Sequence, residues 1–143
     1  MQIRNISYND KKVKREIAQL VGEPFSWSQR LKMRGIGSPR FNLIRASVPI
    51  EALLAVDNRR WHCNIELRPA GIILSFRSRL ETYAWIVPYR SLYLHKSEGY
   101  LTLHSTQYFV RLMWDDYNKS AQKFLAKLLT FKAQAQSEDA MPA

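Results

Sequence analysis

The sequence predicts a mainly β (α+β) domain in which about seven short antiparallel strands fold on themselves and one C-terminal helix closes the opening. Three observations carry this. Apolar and polar residues alternate from Arg60 to Met113, turn residues recur at short intervals, and an apolar stripe at helical spacing follows Asp115.

Taken in order, residues 1–8 read as a frayed lead-in. Asn9 or Asp10 then caps a helix over about 10–21, whose apolar positions Val13, Ile17, Leu20 and Val21 share one face. Gly22 stops it, and packing against the domain is the expected role of that face. The segment from Pro24 to Ile50 contains no acidic residue but holds Arg30, Lys32, Arg34, Arg40 and Arg45. Its Gly35-Ile36-Gly37-Ser38-Pro39 run lacks the Gly-Lys-Ser/Thr that opens a helix in a phosphate-cradling loop, so a plain turn is expected. Phe41 to Val48 reads as the first strand. Ile50 to Val56 fits either a helical turn or an extended piece, and Asp57-Asn58 is a turn signal.

The β core spans about 41–113. Trp61, Cys63, Ile65 and Leu67 form the apolar face of one strand, and Ile72, Leu74 and Phe76 that of the next. Thr82 to Val87 is apolar on both faces and ends at Pro88. Leu94 is expected opposite Leu103 across a two-residue Glu98-Gly99 turn, which keeps Leu92, Leu94, Leu101 and Leu103 on one face. Gln107 to Met113 is the last strand. Asp115 or Asp116 is expected to cap the C-terminal helix, about 116–131, with Tyr117, Ala121, Phe124, Leu125, Leu128 and Phe131 along its apolar stripe. Residues 133–143 are expected to be a disordered tail. The whole chain, 1–143, reads as a single domain.

Composition narrows the function classes. With 22 basic and 12 acidic residues, a net charge of +10, the chain favours polyanionic partners. The sole cysteine, Cys63, excludes an internal disulfide and sits among core residues, and no apolar run reaches the roughly 18 residues that span a bilayer. A cytoplasmic setting, peripheral to the membrane where an anionic lipid is the ligand, is the expectation. His62 and Cys63 are neighbours on a strand and point to opposite faces. His95 and His104 approach each other across a hairpin but lack a third ligand. No metal, no cofactor and no catalytic residue is expected, and the chain is read as not an enzyme.

The succession Gly71-Ile72-Ile73-Leu74-Ser75-Phe76-Arg77-Ser78-Arg79, then Trp85-Ile86-Val87-Pro88-Tyr89-Arg90-Ser91-Leu92, Gly99-Tyr100-Leu101-Thr102-Leu103 and Tyr108-Phe109-Val110-Arg111-Leu112, resembles the pleckstrin-homology-like (PH-like) superfamily, in particular its bacterial members. The resemblance covers about residues 59–131. It implies a seven-stranded, partly open barrel capped by one helix, here with an extra N-terminal helix, and a binding module rather than a particular ligand. It also implies that Arg59 and Arg60, in the loop joining the family's first two strands, hold an anionic headgroup. Arg77 and Arg79 flank a tight turn, and Arg30, Lys32 and Arg34 lie in the acid-free segment. These seven are the candidate binding residues, for a protein or peptide or an anionic membrane surface. A nucleic-acid-binding domain is the alternative, since the charge suits it and the run from Pro88 to Leu129 resembles LytTR-type DNA-binding domains.

Overall fold

Among the described residues, eight antiparallel strands form one open sheet in the order β1-β5-β4-β3-β2-β8-β7-β6. The computed structural model describes residues 3–55 and 60–140, so the turn expected at Asp57-Asn58 lies outside the described residues. The strands are β1 (Ile3–Asn5), β2 (Phe41–Ala46), β3 (His62–Leu67), β4 (Gly71–Ser78), β5 (Glu81–Pro88), β6 (Tyr93–Ser97), β7 (Tyr100–His104) and β8 (Phe109–Met113). The helices are α1 (Lys11–Val21), α2 (Trp27–Met33), α3 (Val48–Leu54) and α4 (Lys119–Ala140).

The sheet bends over its own core at β2. This strand starts against β3 (Phe41↔Cys63), passes an irregularity between Leu43 and Arg45, and ends against β8 (Ala46↔Val110). In consequence Trp85 of β5 meets Tyr108 at the head of β8, edge to face with centroids 6.5 Å apart, although four places separate those strands in the sheet. Leu74, Trp85, Leu103, Leu112 and Leu128 share the continuous interior. This curvature is compatible with a partly open barrel.

The expected Leu94↔Leu103 pairing is present, as is the two-residue turn between Ser97 and Tyr100. Asp10 caps α1 by accepting from the Lys12 amide, and Gly22 ends it at φ 91°, where a side chain would be strained. Ile17 and Val21 of α1 pack on Ile73, Ala84 and Ile86, the outer face of β4 and β5.

Five expectations are corrected. Ile3–Asn5 is a strand, not a lead-in, because β5 offers it a free edge (Ile3↔Trp85), so the strand at Phe41–Ala46 is the second. Gly35–Pro39 is not a plain turn: Ile36 O accepts from Leu67 N at 2.8 Å and Ser38 N donates to Ile65 O at 2.8 Å, an extended piece prolonging the ladder along β3. The acid-free segment also contains α2. The cap of the last helix is Asn118, whose side chain accepts from Ala121 N at 3.1 Å; Asp115 instead turns the chain before it, accepting from Tyr117 N. Finally α4 runs on to Ala140, since Ala133-Gln134-Ala135-Gln136 are good helix formers with no glycine or proline among them. Where two readings stood open after Pro49, the segment is helical, as α3.

Candidate functional site

Strand alternation sends Leu74 and Phe76 of β4 into the core and Ser75 and Arg77 outward. On β3, Cys63 and Ile65 point inward and Asn64 outward. The register sets Asn64 opposite Ser75, and Arg77 opposite Thr82 of β5. These outward groups, with Arg60 and His62, line a groove of about 720 Å³ whose walls are completed by Arg40 and by Arg79 and Leu80 of the β4–β5 turn. Leu54 reaches it from α3, which is tied to this end of β4 by a hydrogen bond from the buried Ser78 hydroxyl to Leu53 O.

Four arginines therefore converge on one groove, and among the described residues no acidic one lines it. The side chains of Arg40, Arg60, Arg77 and Arg79 make no hydrogen bond or ion pair with another described residue. Arg68 shows the contrast: its Nε donates to Glu66 Oε2 at 2.6 Å and its Nη1 to Gly22 O at 3.0 Å, so its charge is consumed in fastening the end of α1. Clustered guanidinium groups without carboxylates repel one another, and an anion relieves that repulsion while accepting from their planar forks. Asn64, Ser75 and Thr82 add uncharged hydrogen-bonding groups, and the buried Nδ1 of His62 has no partner among the described residues.

The turn that carries Arg79 is strained. Ser78 pairs with Glu81, leaving Arg79 and Leu80 as a two-residue loop, and Arg79 takes φ 57°, a conformation in which glycine is at ease and arginine is not. Strain of this kind recurs where a side chain must be aimed.

The candidate residues thus divide. Arg60, Arg77 and Arg79 come together in the groove, and Arg59 lies outside the described residues. Arg30, Lys32 and Arg34 are not part of it; they belong to α2 and its cap. Arg40 was not singled out as a site residue. Only the pairing of Phe41 with Cys63, which sets Arg40 level with Asn64, brings it to the groove, and no local signal in the sequence carries that pairing.

The histidines on the β6–β7 hairpin are not directly opposite: His95 faces Thr102, and His104 faces Tyr93 and stacks on its ring with centroids 5.5 Å apart. No cluster of three or more His, Cys, Asp or Glu side chains forms among the described residues. Burial pushes the Cys63 thiol up to about 12, which keeps it protonated and unreactive. Among the described residues no helix is long and apolar enough to cross a membrane. Compared with protein-family models, curated proteins and solved structures, the chain matches none.

Proposed function

We propose that this chain is a non-catalytic, PH-like binding module whose arginine groove takes a phosphate-bearing group displayed on a membrane lipid or on a protein. The observation that carries the reading is the convergence of Arg40, Arg60, Arg77 and Arg79 on a groove with no acidic lining among the described residues. The strand order supports the architecture: β2 to β5 and β6 to β8 are two runs of sequential antiparallel neighbours joined through β2 and β8, with a helix after the last strand. Relative to a seven-stranded barrel, β1 is an added edge strand and α1 an added cover.

Titration with inorganic pyrophosphate, followed by calorimetry, tests the groove. The Arg60→Ala/Arg77→Ala double variant should lose about tenfold in affinity for each arginine, because each charged hydrogen bond contributes about 1.5–3 kcal/mol. Both side chains are exposed, so folding stability should stay within about 0.5 kcal/mol. Unchanged affinity in the double variant overturns the reading.

A nucleic-acid-binding function is the second reading, favoured by the +10 charge. It predicts a DNA affinity that falls steeply with salt and exceeds that for anionic vesicles at every salt concentration.

A further inference from the structure

Helix α2 is held by its ends rather than by its face. None of its seven residues is buried, and helices this short are marginal on their own. At its N-terminus Ser26 and Gln29 form a reciprocal capping box, and Phe25 just before it packs on Phe131 of α4 with ring centroids 5.4 Å apart. At its C-terminus Arg34 adopts a left-handed cap at φ 59°, and Lys127 Nζ of α4 lies 3.2 Å from both Arg34 O and Gly35 O. Met33 turns toward the core. The helix is rigid while its outward face remains unused.

That face carries Trp27, 78% exposed, and Leu31, 68% exposed, one turn apart on the same side. At 100° per residue, Arg30 flanks this ridge on one side and Ser28 and Lys32 on the other. No carboxylate occurs from Pro24 to Ile50. We infer that α2 is an interfacial foot: Trp27 and Leu31 enter the headgroup region of an anionic bilayer while Lys32 and neighbouring cations meet its phosphates.

The chemistry selects this occupant. Tryptophan favours the membrane–water interface, where its ring is apolar and its N–H stays wet. Basic residues beside it gain from an anionic leaflet. Two apolar side chains make too small a patch for a stable protein interface, which buries about 800 Å² per partner. A second copy of a +10 chain brings like charge to like. The inference deepens the reading above by naming a bilayer as the surface, and it uses residues that the groove does not.

The test uses the full chain with vesicles of phosphatidylcholine alone or mixed with phosphatidylserine. Of the four tryptophans Trp27 is the exposed one; Trp61 is half-buried beside the groove, and Trp85 and Trp114 are buried. Anionic vesicles should shift its emission to the blue, and Trp27→Phe should abolish the shift. Trp27→Ser/Leu31→Ser should weaken vesicle binding about tenfold and leave pyrophosphate binding unchanged. Lys32→Gln should weaken binding about fivefold on anionic vesicles only. Vesicle binding unaltered by Trp27→Ser/Leu31→Ser overturns the inference, whatever the groove does. So does a blue shift produced by single-stranded oligonucleotide but not by vesicles. Loss of pyrophosphate binding in the arginine variant, with vesicle binding still dependent on Trp27, supports both surfaces independently.

Discussion

The outer face of β4 and β5 is one surface with two fates. At one end Ile73 lies opposite Ile86, and α1 covers both with Ile17 and Val21. One rung on, Ser75 faces Ala84, and at the far end Arg77 faces Thr82 in an open groove. The same two strands, with the same pleat, thus pass from a dry contact to a charged one within a few residues. Strand geometry alone does not decide whether a face is core or site. What decides is whether another element is near enough to cover it, and α1 ends at Gly22, above the start of β4.

The largest effect should come from separating the covered half. A side chain at Gly71 would collide with Val21 of α1, Val87 O and Pro88 Cα, so Gly71→Ala should cost roughly 3 kcal/mol in urea unfolding. Pyrophosphate affinity of the folded fraction should be unchanged, because Arg77 stands at the other end of β4. A parallel loss of affinity would show the two halves to be one unit. Next in size is Arg79→Gly, which should raise stability by about 1 kcal/mol by relieving the positive φ, while weakening anion binding. Opposite signs in the two measurements would mark Arg79 as kept for binding; the same sign would not.

The smallest effect concerns pH. Glu16 of α1 accepts from Arg4 Nε of β1 at 2.8 Å, and this hydrogen bond, foremost among the causes, holds its carboxyl below the usual glutamate range. A depressed folded-state value means that the stabilisation is present above the ordinary value and disappears as pH falls through the folded one. Glu16→Gln should therefore lower stability slightly at neutral pH, leave it unchanged at acid pH, and so flatten the acid limb of the stability curve.

Much of this was legible in the chain because it is locally encoded. Val13, Ile17, Leu20 and Val21 mark the face of α1 by spacing alone, and Leu94, Leu101 and Leu103 of β6 and β7 set a register that the short turn also demands. The groove was half legible: Arg60, Arg77 and Arg79 stand at strand ends, but Arg40 joins them only through a pairing distant in sequence. Strand β1 left no trace because three residues carry no period, and its partner is an edge formed much later in the chain. Helix α2 escaped for a different reason. It buries no face and so shows no apolar rhythm, although the Ser26…Gln29 capping box was there to be read. The end of α4 was missed because a polar Ala/Gln run suits a projecting helix as well as a tail.

The bend in β2 bears on how the chain reaches this state. The β3–β4–β5 and β6–β7–β8 runs are meanders whose pairings lie close in sequence, so each can form early at small loop-closure cost. Joining them requires β2 to find β8 across nearly the whole core, with Ala46 beside Val110. Loop-closure entropy makes that closure the expected slow, late event of assembly. Until it happens the interior faces of both meanders are uncovered, and the residues around the bend govern how long the nascent protein stays vulnerable to aggregation.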